Sequence, residues 1–188
     1  MASINRPYYP DLDATIEGTS APQEIIDTLE LVKVNFLDFD GYHAIGQIVV
    51  AKVLAAETEK IFGVMRDAEF PIQTVVPIAH FGHDDHRSIE ANNTSGFNYR
   101  EVAGTGRLSK HALGLAVDVN PLLNPYVKAD GSPMPNSFPL YPDYNPSVPG
   151  TIVADGPAVR AFIDQGWEWG GNWPEEHDYQ HFEKGAES

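Results

Sequence analysis

Two short stretches of this chain hold residues that could do chemistry together. The first is Ser109-Lys110-His111-Ala112-Leu113-Gly114-Leu115-Ala116-Val117-Asp118-Val119-Asn120-Pro121. From Leu113 onward the residues alternate, with Leu113, Leu115, Val117 and Val119 on one side and Gly114, Ala116, Asp118 and Asn120 on the other. That is the period of a half-buried β-strand. Gly114 and Ala116 leave room beside Asp118, so a metal or a substrate backbone could approach the strand there, and His111 stands just ahead of it. Alone, a His and an Asp at this spacing are also what an ordinary surface strand could carry. The second stretch, Trp167-Glu168-Trp169-Gly170-Gly171-Asn172-Trp173 followed by Asp178-Tyr179-Gln180-His181-Phe182-Glu183, adds another His with an acid three residues before it. Two imidazoles and a carboxylate form a nitrogen and oxygen donor set suited to Zn²⁺, and three protein ligands leave a fourth position for water, as a catalytic zinc site requires. Asp178 is then left over as a base.

Together these segments resemble the zinc peptidases that cut the peptides of bacterial cell walls, a family of D-alanyl-D-alanine carboxypeptidases, D-Ala-D-Ala dipeptidases and L-alanyl-D-glutamate endopeptidases. The shared pattern is Ser-x-His-x-x-Gly-x-Ala-x-Asp and a later acid-x-x-His. Here it reads Ser109-x-His111-x-x-Gly114-x-Ala116-x-Asp118, then Asp178-x-x-His181. Asn120-Pro121, Asn124-Pro125-Tyr126 and the Trp-Gly-Gly run extend the match, and from about Leu31 onward the whole chain is similar to this family. The resemblance implies one Zn²⁺ per chain on His111, Asp118 and His181, with Asp178 passing a proton from the attacking water to the leaving amine. It also implies that Arg100, at the end of Asn92 to Arg100, hydrogen-bonds the developing oxyanion. Arg100 could instead pair with one of the many acids, and Arg107 competes for the same role. Ser109 and Tyr99 are candidates for gripping the substrate peptide. The imidazoles need acceptors behind them to fix their tautomers; His177 and Glu183 are near in sequence only.

The implied substrate is the stem peptide of peptidoglycan. Asp rather than Glu at 178 points to the L-alanyl-D-glutamate endopeptidase branch. A groove closed around a terminal carboxylate would make a D-alanyl-D-alanine carboxypeptidase instead, and no motif decides between them. Hedgehog signalling domains resemble this fold and metal site yet act by binding; the intact base and arginine argue against such a non-catalytic module here.

Composition bounds the rest. The 188 residues suit one domain with a single core. Cysteine is absent, which leaves His and carboxylates as the strong metal ligands. With 12 Lys and Arg against 27 Asp and Glu, the net charge of -15 repels a phosphate backbone, so nucleic acid is not an expected partner. No apolar run has the roughly 18 to 20 residues of a membrane span, and the N-terminus lacks the charged-then-apolar build of a signal peptide. The chain is expected to act as a monomer. Its implied substrate would put it in the cell wall, the periplasm or outside the cell, or in a phage-type lysis system.

Residues 1 to 21 read as an irregular N-terminal arm, and 22 to 188 as the zinc peptidase domain. Within the domain the pattern predicts a helical turn after Ala21-Pro22, a strand at Leu31 to Leu37 and a turn at Asp40-Gly41. One long helix is expected from Ala44 to Ala68, ended by Phe70-Pro71, then a strand at Gln73 to Ile78. His80 to His86 tempts a second metal assignment but reads better as a solvated loop. The prolines from Pro133 to Pro149 predict a long surface loop that either lines the substrate groove or wraps the core. Asp155-Gly156-Pro157 opens a short helix, with a capping carboxylate and a proline in the first turn, and Gly166 closes it. This order gives an α+β fold, with helices against one face of a mainly antiparallel sheet, and the resemblance implies the same.

Overall fold

Leu29 to Ala51 build the longest regular piece of the protein, whose computed structural model describes residues 7–102, 104–133 and 145–185. Strands β1 (Leu29–Leu37) and β2 (His43–Ala51) pair antiparallel with Leu29 opposite Ala51 and Leu37 opposite His43. The turn lies where Asp40-Gly41 predicts it: Gly41 has φ +79°, and Asp38 Oδ1 accepts from the amides of Asp40 and Tyr42.

β2 corrects the expectation of a single helix from Ala44 to Ala68. Gly46 to Ala51 are all buried, and a strand buried on both faces loses the alternation that would announce it. Its β-branched Ile45, Ile48, Val49 and Val50 favour the pleated surface, yet the run merges in sequence with the helix behind it. Helix α1 (Leu12–Ile16) and helix α2 (Gln23–Ile26) precede the hairpin, and α3 (Ala55–Asp67) follows it after a 3-10 turn at Lys52–Leu54. α3 turns Thr58, Ile61, Phe62 and Met65 inward, the i, i+3, i+4, i+7 stripe of a helix lying on a sheet. It stops at Asp67, before the Phe70-Pro71 pair.

The stretch read as an irregular arm contains α1. Asp11 caps it by accepting from the Ala14 amide, and Leu12 and Ile16 pack against Leu29, Val49 and Phe97. Tyr9 is tied down as well, its amide on Gln47 Oε1 (2.8 Å) and its carbonyl on Gln47 Nε2 (2.9 Å). A five-residue helix is too short to show a period.

Beyond α3 the strands are short: β3 (Thr74–Val75), β4 (Asn93–Thr94), β5 (Ala116–Asp118), β6 (Tyr126–Val127), β7 (Glu168–Trp169), β8 (His177–Asp178) and β9 (His181–Glu183). β3 is the remnant of the strand expected at Gln73 to Ile78, which ends in a 3-10 turn at Ile78–Phe81. The expected loop at His80 to His86 becomes that turn and the start of α4 (Asp85–Glu90), capped by Asp84. In place of one sheet there are four small ones among the described residues: β1-β2, β5-β9-β7 and β6-β8 antiparallel, and β3-β4 parallel. Single links join them, with Ser95 bridging Asp118 and the Phe97 amide on Val49 O at 2.7 Å. The architecture is a mixed α/β domain, mainly antiparallel as expected, with its sheet in pieces because the chain turns sharply at positions such as Gly114 (φ +68°) and Asn120 (φ +46°).

Helix α5 (Pro157–Ile163) carries Pro157 in its first turn, and Gly166 at φ +78° closes it. The expected carboxylate cap is absent: the N-cap is Gly156, which offers no side chain. Phe162 of α5 stacks on Phe182 at 3.9 Å and meets Trp167 edge-on at 5.3 Å, so α5 holds β9 in place through aromatic packing. The proline-rich loop between Pro133 and Pro149 falls largely on 134–144, outside the described residues. No helix among the described residues is long and apolar enough to cross a membrane.

Candidate metal centre

His111 sits in a 3-10 turn, Lys110–Leu113, whose start is capped by Ser109: its Oγ accepts from the His111 amide at 3.2 Å. Gly114 ends this turn. A side chain there would come within 2.5 Å of the Ala51 amide nitrogen, which donates to Gly114 O. Gly114 is therefore off the strand, and its smallness lets β2 approach rather than opening room beside Asp118. Leu113 also lies in the turn, so the alternating strand begins only at Ala116.

β5 then pairs with β9 so that Asp118 faces His181 directly, and residues opposite each other in a ladder project from the same face. Three donors converge as a result. His111 Nε2 lies 3.2 Å from Asp118 Oδ2, His181 Nδ1 lies 3.0 Å from Asp118 Oδ1, and the two imidazole nitrogens are 3.2 Å apart. All three residues could hold one metal ion.

The outer contacts decide which ring nitrogens face inward. His111 Nδ1 lies 2.7 Å from Gly96 O, and His181 Nε2 lies 3.0 Å from Glu183 Oε2. Each of those acceptors takes an N–H, which leaves the His111 Nε2 and His181 Nδ1 lone pairs aimed at Asp118 and at one another. Two lone pairs and a carboxylate in a buried space need a cation or a proton between them, so the donor set fits a divalent metal. Without a metal, protons take that part. Burial opposes it, but hydrogen bonds to Asp118 and Glu183 push His181 up to about 10. Burial likewise pushes Asp118 upward, and the two imidazoles outweigh it and hold the carboxyl well below the usual range. The hydrogen bond from His181 lowers Glu183.

Asp178 arrives on β8, opposite Tyr126 of β6. Gly170 lets the chain close around it, since a side chain at 170 would meet Asp178 O at 2.7 Å and Asp178 Cβ at 3.0 Å. Oδ1 of Asp178 is buried and makes no hydrogen bond. Burial, then the nearby Asp118 charge, push this carboxyl up to about 7, against the pull of both imidazoles. A carboxyl in that state can take and return a proton near neutrality. Beside it Tyr126 donates its hydroxyl to Glu176, and that bond with burial pushes the phenol up to about 12.

The other residues singled out in the sequence fall in different places. Arg100 Nε lies 3.4 Å from Asp85 Oδ2, and Arg100 O accepts from the Ser109 amide. Arg107 stands exposed on the turn after Val102. Tyr99 packs against Leu29, Val49 and Phe97, and Ser109 is buried as a cap. Of the two residues near in sequence, Glu183 backs His181, whereas His177 Nδ1 lies 3.1 Å from Gly171 O. In the His80 to His86 segment, His83 reaches Glu17 O and His86 reaches Glu90, so these rings do not form one cluster. The sequence assigns no individual role to Gly96, Gly170 or Gln180; a carbonyl partner such as Gly96 O leaves no signal, because every residue has one.

A cavity of about 480 Å³ lies between α5 and Trp169, lined also by Arg160, Asp164 and Asn172. A second, of about 280 Å³, shares Ile163, Trp169 and Asn172 with it and reaches Trp173, whose ring lies 5.4 Å from that of His181. No curated protein and no solved structure matches the chain. Residues 103–184 match the model of a family described as D-alanyl-D-alanine carboxypeptidase. The match leaves out 31–102, which the sequence resemblance had included. It contains His111, Asp118, Asp178 and His181, and over this segment the chain is similar to that peptidase family.

Proposed function

We propose that this protein is a zinc-dependent peptidase that hydrolyses the stem peptides of peptidoglycan, cutting the bond between L-alanine and D-glutamate. Asp178 carries the proposal: a buried carboxyl with an unpaired oxygen, pushed up to about 7, beside a His-Asp-His donor set. Zinc held by His111, Asp118 and His181 would supply a Lewis acid and a water of lowered pKa. His111 and His181 present their lone pairs because Gly96 O and Glu183 hold the opposite N–H groups. Asp178 takes the proton of the attacking water and returns it to the leaving amine. Arg100, oriented by Asp85, hydrogen-bonds the developing oxyanion. The substrate peptide runs along the grooves beside Trp169 and Trp173.

The family description favours a second reading, a carboxypeptidase that releases D-alanine. Mass spectrometry of digests of purified peptidoglycan and of soluble stem pentapeptide separates the two. A new D-glutamate amino terminus is the expected result; free D-alanine would replace it with the carboxypeptidase. Arg107→Ala is expected to change little, whereas a large rise in KM for D-Ala-D-Ala substrates would make Arg107 the clamp for a terminal carboxylate.

Glu183→Gln tests the support behind His181. A neutral amide is a weaker acceptor than a carboxylate for the His181 N–H, so zinc affinity is expected to fall about 10- to 100-fold. Competition with a chelator measures it. An unchanged affinity would mean that the Glu183 contact does not tune the ligand.

A further inference from the structure

Four buried side-chain atoms among the described residues make no hydrogen bond: His83 Nδ1, Arg100 Nε, Asp178 Oδ1 and Gln180 Oε1. His83 is held through its other nitrogen by Glu17 O, and Arg100 Nε has the Asp85 carboxylate 3.4 Å away. The remaining two belong together. Asp178 and Gln180 lie two residues apart across the turn that joins β8 to β9, and the Gln180 carboxamide donates toward the Asp178 carboxyl. Gln180 is only 8% exposed, and its main-chain carbonyl accepts from the Val119 amide at 3.0 Å, which fixes the residue to the strand that carries Asp118.

Folded proteins rarely leave a buried amide oxygen unpaired, because the group gave up its water to be there. A carboxamide is planar and short, so when its nitrogen faces Asp178 its oxygen stays close to the same carboxyl. Oε1 is thus an acceptor without a donor, held beside the base. We propose that Gln180 is a substrate-binding residue, whose Oε1 accepts a peptide N–H next to the scissile bond while its amide orients Asp178. The inference rests on the peptidase reading, since a stem peptide brings that N–H.

Gln180→Met keeps the shape and removes both polar ends. Were Oε1 serving the fold, this change would destabilise the protein. The expected result is an equal or higher melting temperature, unchanged zinc content, and a kcat/KM lower by at least about tenfold, with KM raised by the lost acceptor and kcat lowered by the lost donor to Asp178. Gln180→Glu keeps an acceptor and loses the donor to Asp178, so KM is expected to return toward wild type while kcat falls. With a depsipeptide substrate, in which an ester replaces that N–H, wild type and Gln180→Met are expected to have the same KM. Unchanged kcat/KM in Gln180→Met, a lower melting temperature, or a KM that Gln180→Glu fails to restore would overturn the inference and leave the peptidase reading standing. A wild-type protein that cleaves no stem peptide would overturn both.

Discussion

Replacing His181 by alanine is expected to take bound zinc from about one per chain to nearly none, and hydrolysis of cell-wall peptides with it. The structure makes this residue hard to substitute. His181 is buried, touches Asp118 at 3.0 Å on one side and Glu183 at 3.0 Å on the other, and stands opposite Asp118 in the β5-β9 ladder. Removing it leaves two protein donors, one short of the three that a catalytic zinc site uses. Wild-type protein should gain melting temperature as zinc is added, because a ligand that binds only the folded state stabilises it by mass action. The variant should not. In the metal-free protein, His181 is pushed up to about 10. Its protonation therefore stabilises the fold fully below the ordinary His value, and that contribution is lost as pH rises through about 10. Zinc has to displace this proton, so zinc affinity is expected to fall as the medium is acidified. Metal analysis after dialysis reads the main outcome, and full zinc occupancy in His181→Ala would reject the site. His80, His83 and His86 would not be a ready replacement, since His83 and His86 are engaged with Glu17 and Glu90.

Asp178→Ala is expected to keep zinc and lose turnover, by about 10²- to 10⁴-fold in kcat if Asp178 is the proton carrier. The two readouts together separate base from ligand. Stability should move the other way from activity. In the metal-free protein Asp178 is raised from 3.8 to about 7, so the fold becomes less stable as pH climbs between those values and levels off above them. Removing the carboxyl lifts that cost, and the variant is expected to melt at the same or a higher temperature than wild type at neutral pH. Retained turnover in Asp178→Ala would hand the proton to another group.

Much of the chemistry was legible without coordinates, because it depends on residue types. Lacking cysteine, the chain had only imidazoles and carboxylates for strong metal ligands, and its net charge of -15 argued against nucleic acid. Glycine and proline also spoke clearly. Gly41 turns the hairpin and Gly166 ends α5, each at a positive φ that other residues avoid.

Periodicity failed where burial removed it. β2 is buried on both faces from Gly46 to Ala51, so in sequence its apolar run reads as the start of α3. Strands of two or three residues, such as β3, β5 and β9, are too short to show any period.

His111 and His181 are 70 positions apart, and their types alone say only that both can bind a metal. Tertiary structure decided the rest: the β5-β9 register sets Asp118 against His181, Gly96 O and Glu183 choose which nitrogens face inward, and Gly170 lets Asp178 approach. These are through-space choices. A register, a tautomer and a close contact depend on which backbone lies beside which, and residues far apart in the chain meet only after the whole domain has packed.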